Sequence, residues 1–299
     1  MFCADWQELP RNSPVRVMRL PHATALILTV LLAWAAPARA DIQLVFGVYP
    51  SEKPSKMVKR FRPALDAIQT RMTRDLGEEV AIKTQVMSGY KKGLESLVIG
   101  EVDFARLGPA SYVMGKRENP DITLLSLESE KGTIAFDGVI VVRDDTDITE
   151  VAHLKGRTFA FGSKRSTLGR YFAQTYLADL GIHAKDLGDY DYLSHHEAVG
   201  LAVGAGRYEA GVLNRRKFEE LQRRGVRLRE IASFENVTRA WVARSGLEPR
   251  LQASLRAALL SIEDPAVLQA LGFDGFLPGR NVDFDKTRRA LVDYAQFQE

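Results

Sequence analysis

Ser166 and Thr167 stand where a short apolar run, Thr158-Phe159-Ala160-Phe161, has left through Gly162 and a helical pattern begins. Two hydroxyl donors, the unpaired N–H groups of a first helical turn and the positive end of the helix dipole together suit an anion. Lys164 and Arg165 sit just before them. The same residues also spell an ordinary Ser N-cap in a basic loop, and this stretch alone supports both readings.

Other chemistry fails on spacing. The interval from Gly162 to Gly169 lacks the Gly-Lys-Ser/Thr ending of a P-loop, and Gly204-Ala205-Gly206 is not followed by a third Gly three residues on. His195-His196-Glu197 invites a metal reading, but neighbouring side chains on a helix diverge by about 100° and no second His/Cys cluster accompanies them. The single cysteine is Cys3, and no Gly-x-Ser-x-Gly elbow occurs. We therefore expect no catalytic residues, no metal and no cofactor, hence no enzyme.

The elements that must position these residues alternate. Residues 42–48 read as a strand, and Met57, Phe61, Leu65, Ile68 and Met72 recur at helical spacing. Strands are expected at 80–86, 102–105, 123–128 and 138–142, with helices opening near Tyr90 and after Pro109. The polar exit Asp144-Asp145-Thr146-Asp147 is read as a crossing into a second α/β unit, with strands at 158–161, 191–193, 208–213 and 226–232. Lys217 onward, basic but interleaved with Glu219, Glu220 and Glu230, reads as a solvated helix. A strand at 237–243 leads back, and helices near 251–262, 265–271 and 287–297 close the chain. The expected fold class is α/β with two lobes, the first built from residues 41–142 and 240–299 and the second from 143–239. A ligand would lie between them, at carboxyl ends of strands and amino ends of helices.

Residues 1–40 differ from the rest. Arg16 and Arg19 precede an apolar run at 23–36, and Ala38-Arg39-Ala40 supplies the small residues a signal peptidase reads, so cleavage is expected after Ala40. The segment before Met18 has no place in such a signal. Residues 1–40 hold four of the 41 basic and two of the 38 acidic residues, which leaves the remainder almost neutral. No field large enough to attract nucleic acid results, so any anion specificity is local.

Phe46-Gly47-Val48-Tyr49-Pro50-Ser51-Glu52, Asp103-Phe104-Ala105-Arg106-Leu107-Gly108-Pro109-Ala110, residues 154–162, Ser166-Thr167 and His196-Glu197-Ala198 come in an order that resembles the periplasmic phosphate/phosphite/phosphonate-binding proteins of ABC transporters. The resemblance implies a two-lobed type II periplasmic binding protein fold with a two-segment hinge and an interlobe cleft. It also implies that Ser166 and Thr167 hold the oxyanion and that His196 and Tyr90 line the cleft, with Tyr49 and Arg165 beside them. Tyr90 has a plainer reading as a half-buried packing aromatic. Arg106 stands where many members carry an aromatic, and either meets a doubly charged ligand bidentately or faces solvent. Leu168 replaces a third hydroxyl. Arg216 and Val237 fall nearest the acidic positions that hold an ammonium group in aminoalkylphosphonate binders, which favours phosphate, phosphite or a phosphonate with a neutral substituent. The implied role is a monomeric, periplasmic solute-binding protein that delivers its ligand to an inner-membrane ABC permease. The alternative is a sensor subunit that reports occupancy to a membrane histidine kinase.

Overall fold

In a computed structural model of the chain, residues 42–50 and 53–298 are described; the expected signal peptide and cleavage site, and Cys3, lie outside them. The chain begins with β1 (Ile42–Val48), α1 (Pro54–Leu76), β2 (Val80–Val86), α2 (Tyr90–Val98), β3 (Phe104–Leu107), α3 (Pro109–Glu118) and β4 (Thr123–Ser129). It crosses with β5 (Ala135–Val142), β6 (Thr158–Phe161), a π-helical turn (Thr167–Phe172), α4 (Ala173–Asp179), β7 (Asp189–Tyr192), α5 (His196–Gly204), β8 (Ala210–Asn214), α6 (Arg215–Arg223) and β9 (Arg229–Val237). It returns with β10 (Ala240–Ala243), α7 (Pro249–Leu260), α8 (Pro265–Leu271), β11 (Gly275–Leu277) and α9 (Asp285–Asp293).

Two sheets result. The first has the order β11-β4-β10-β3-β1-β2 and the second β7-β6-β8-β5-β9. In each, parallel strands joined through helices (β2-β1-β3 and β7-β6-β8) meet a strand that the chain contributes after crossing from the other lobe. β10 lies antiparallel between β3 and β4, and β5 antiparallel between β8 and β9. Parallel strands need crossover helices, and those helices cover both faces of each sheet. On one face of the first sheet α1 buries Met57, Phe61, Leu65, Ile68 and Met72, the row read from spacing, against Phe46, Phe104 and Trp241.

The position of β5 corrects the expected lobe boundary. Residues 138–142 were assigned to the first lobe, yet all of β5 belongs to the second sheet. Its alternating side chains bind it there on both faces, Val139 and Val141 packing with Val203 and Leu213, and Ile140 and Val142 with Phe159, Phe161 and Val212. The crossing therefore comes earlier, after a tight turn at Lys131-Gly132 in which both residues have positive φ (53° and 74°). Such a turn suits a hairpin, and Glu130 and Thr133 pair across it. The return crossing falls at Thr238-Arg239, because β9 runs on through Val237, a residue the sequence assigned to the strand beyond the crossing.

The C-terminus adds a third passage. After α9 a 3₁₀ turn, Tyr294–Gln298, lays Phe297 into the core of the second lobe, edge-on to Phe161 and Tyr190. The segment placed wholly in lobe 1 thus ends on lobe 2.

Candidate functional site

The chemistry of the site begins with two strand–glycine–helix turns that face each other. In lobe 1, β3 passes through Gly108 into α3 with Pro109 at its first position, where a missing N–H costs nothing. In lobe 2, β6 leaves through Gly162, and Ser166 caps the π-helical turn by accepting from the Gly169 N–H at 3.0 Å. Gly162 donates its N–H to the Gly169 carbonyl at 2.7 Å, and a Cβ on Gly169 would come within 2.8 Å of Gly162 Cα. Only two glycines allow that backbone approach, which holds the loop of residues 163–165 out and the hydroxyls in.

The two turns touch. Thr167 Oγ1 accepts from the Ala110 N–H at 2.8 Å across the lobes. Because Ser166 and Thr167 act as acceptors in these bonds, both keep a hydroxyl hydrogen to donate. Among the described residues the N–H groups of Ser111, Thr167 and Leu168 have no hydrogen-bond partner. Two hydroxyls and three free amides thus lie on two turns that touch, with Ser166 on the wall of the interlobe cavity.

Tyr49 and Tyr90 support the lobe 1 side. Tyr49 accepts from the Gly108 N–H and stacks on Tyr90, ring centroids 4.3 Å apart. Burial, with Tyr90 adding to it, pushes the Tyr49 phenol up to about 12, so it stays a neutral acceptor. Tyr90 is half-buried and lines the cleft, and the two readings offered by the sequence are here one arrangement.

Arg106 is 5% exposed and forks onto Glu128, with Nη2 to Oε2 at 2.9 Å, while its guanidinium lies 5.2 Å from the Phe61 ring. Burial lowers its pKa to about 10, with Glu128 opposing. In Glu128 burial acts to raise the pKa, but Arg106, Arg239 and the Trp241 indole outweigh it and hold the carboxyl below its ordinary value. Arg106 does not face solvent, and its bidentate edge is taken by Glu128. It forms part of the cleft wall as half of a neutral pair.

His196 opens α5 at the cleft. Burial, with Arg239 and His195 adding to it, pushes its imidazole down to about 3, the Val212 backbone acting the other way. The ring is neutral across the physiological range, and its buried Nδ1 has no partner among the described residues. A neutral ring there brings no charge to the cleft. His195 is the cap of α5 and accepts from the Ala198 N–H at 3.1 Å.

Arg165 is exposed and lines a cavity of about 840 Å³ with Lys53, Lys91, Lys92 and Lys164, which adjoins a second one through Tyr90, Ser163, Ser194 and His195. Ser166, Arg106 and His196 instead line a larger interlobe cavity of about 1170 Å³. Leu168, the missing third hydroxyl, turns away into the lobe 2 core beside Gly138.

The residue that sequence reasoning passed over is Arg239. It sits on the return crossing, lines the interlobe cavity, and its charge acts on Tyr49, Arg106, Glu128 and His196 alike. Its guanidinium makes no hydrogen bond or ion pair among the described residues. The signal was a lone Arg inside the otherwise apolar run at 237–243 where the chain changes lobes. The cleft is also less free of carboxylates than expected: Asp66, Glu197 and Glu220 line it, but they pair with Arg62, Arg224 and Lys217.

Residues 46–284 match the family model for the ABC transporter, phosphonate, periplasmic substrate-binding protein. A probable ABC transporter phosphite binding protein, PhnD1, of Prochlorococcus marinus (strain MIT 9301) is 24% identical over 233 residues, which cover 73% of this chain and 75% of the relative. The structure of PhnD1 from the same organism, solved with methylphosphonate, superposes with a TM-score of 0.73 at 21% identity, covering 85% of this chain and 98% of that one. XAC2383 from Xanthomonas citri, solved with chloride, gives 0.72 at 19% identity over 85% and 98% of the two chains. The chain belongs to the phosphonate-type periplasmic substrate-binding proteins of ABC transporters.

Proposed function

We propose that this protein captures a phosphate, phosphite or phosphonate-like oxyanion between the Gly108–Ser111 and Ser166–Leu168 turns and presents it to an inner-membrane permease. The observation that carries the reading is the convergence of uncommitted donors, the Ser111, Thr167 and Leu168 amides and the Ser166 and Thr167 hydroxyls, beside the unpaired Arg239. A strongly hydrated oxyanion leaves water only if each lost hydrogen bond is replaced. Charge-assisted bonds contribute about 1.5–3 kcal/mol each, and micromolar affinity needs about 8 kcal/mol, so five aligned donors and one guanidinium suffice once closure has ordered them.

Neutral His196 and the Arg106–Glu128 pair shape the site without adding charge, and Arg239 supplies an unpaired cation on the wall of the same cavity. Family membership implies a periplasmic location, and the charge and Ala-x-Ala pattern of residues 16–40 supports export with cleavage after Ala40. In this reading the protein acts as a monomer, binds without turnover, and meets the permease through the outer faces of its lobes.

A thermal-shift panel tests the reading. Phosphate, phosphite and methylphosphonate should raise the melting temperature of the wild type and leave a Ser166→Ala/Thr167→Ala variant unmoved. Equal stabilisation of both proteins would place the ligand elsewhere.

A further inference from the structure

We propose that the ligand of this cleft is an organophosphate or phosphonate carrying a second anionic group, held by a cationic subsite between α1 and α6. The proposal rests on the oxyanion reading above and extends it from the head of the ligand to its substituent.

The cavity that holds Ser166 and Arg239 does not end with them. At about 1170 Å³ it lies beyond the upper end of the 300–1,000 Å³ usual for drug-sized ligands, far more than one tetrahedral head with a methyl substituent fills. It continues outward between the N-terminal turns of α1, from lobe 1, and the length of α6, from lobe 2.

Both walls are basic. Lys56 and Lys59, three residues apart on α1, share a face, and so do Arg216 and Arg223, seven apart on α6 and about 10 Å from each other along the axis. Lys56, Lys59 and Arg223 have no carboxylate partner among the described residues, and Arg216 donates to the Gly272 carbonyl while its charge acts on Glu130 nearby. The carboxylates on these walls are already paired, Asp66 with Arg62 and Glu220 with Lys217.

Like charges on opposing walls repel as the lobes approach, most strongly where water is excluded. Arg216 is anchored between the walls by its bond to Gly272, the C-cap of α8, which joins lobe 2 to lobe 1 and brings its charge close to lobe 1. A second anion between the walls would offset the repulsion, whereas an ammonium substituent would increase it and an alkyl substituent would leave it unrelieved.

Titration calorimetry on the purified protein separates the possibilities with methylphosphonate, 2-aminoethylphosphonate, 3-phosphonopropionate and methylenediphosphonate. Adding a charge-assisted contact should make the two doubly anionic ligands bind roughly 10- to 100-fold tighter than methylphosphonate. The aminoethyl compound should bind more weakly than methylphosphonate. In a Lys59→Gln/Arg223→Gln variant, both changes being at exposed positions, the advantage should disappear while methylphosphonate affinity stays within about twofold. A melting curve matching the wild type verifies its fold. Methylphosphonate binding as tightly as the doubly anionic ligands, or an advantage that survives in the variant, would overturn the second subsite and leave the oxyanion reading in place. Failure of all four ligands to bind would overturn both.

Discussion

In lobe 1 the strand Phe104–Leu107 runs through Gly108 directly into a helix headed by proline, while in lobe 2 the strand Thr158–Phe161 needs the loop of residues 163–165 and a serine cap before its helix can start. The first turn offers backbone amides, its Ser111 hydroxyl being engaged with Tyr49; the second offers amides and hydroxyls, and lends one hydroxyl to the first through Thr167 and Ala110. The difference follows from what each turn must do locally. Proline fixes the helix start without a cap, whereas a cap side chain left partly satisfied by its own helix has a proton to spare for a ligand. In the proposed site one side of the cleft would therefore meet an anion mainly through its backbone and the other through both backbone and side chains, and each can be broken separately.

The largest effect should come from the wall behind the lobe 1 turn. Arg106→Met leaves Glu128 buried without its partner and should destabilise the fold by about 3–5 kcal/mol, read as a lower denaturation midpoint. Arg106→Met/Glu128→Leu together should recover most of that loss. If the single variant is as stable as the wild type, the pair is not the structural element described here.

Arg239→Gln removes the unpaired cation of the interlobe cavity and should weaken methylphosphonate binding roughly 10- to 100-fold, with melting temperature unchanged in the absence of ligand. Loss of stability without loss of affinity would make Arg239 a hinge residue only. Gly108→Ala acts on the backbone side alone. Its φ of −70° suits alanine, but the new Cβ would lie 2.9 Å from the Tyr49 hydroxyl and 3.6 Å from Thr167 Oγ1, in the gap between the turns. We expect affinity to fall about tenfold with stability lowered by about 1 kcal/mol; unchanged affinity would show that ligand avoids this gap.

The smallest effect concerns His196. Its folded-state pKa, near 3, lies below the ordinary value of 6.5, so between these limits the unfolded chain binds the proton and the folded chain does not. Stability should therefore fall as pH drops through that window, and His196→Gln should lessen the fall by about 1–3 kcal/mol in denaturation curves between pH 6.5 and 4. Identical pH profiles would mean the ring is charged or solvated in the folded protein. Above pH 6.5 the variant and the wild type should show the same pH dependence.

The lobe 2 turn was legible because its signal is local: apolar strand, glycine, two hydroxyls, helix. The helix rows of α1 were legible for the same reason. Arg106 was not, because its partner Glu128 is 22 residues away and on a strand separated from its own by β10, which the chain supplies only after visiting the other lobe. Arg239 was hidden by the same topology, since a lone cation in an apolar run gains its meaning from the crossing on which it sits. The first crossing was misplaced because Asp144–Asp147 looks like a stronger break than Lys131-Gly132, although it is the latter that turns the chain. Arg165 was grouped with Ser166 by adjacency alone; Ser166 is buried as a cap while Arg165 is exposed on an adjoining cavity.

A crystal structure with methylphosphonate tests the central claim most directly. The account predicts phosphonate oxygens within hydrogen-bond distance of the Thr167 or Leu168 amide, the Ser166 and Thr167 hydroxyls, the Ser111 amide and the Arg239 guanidinium at once. A phosphonate bound instead among Lys53, Lys164 and Arg165 in the adjoining cavity, or touching only one of the two turns, would contradict it.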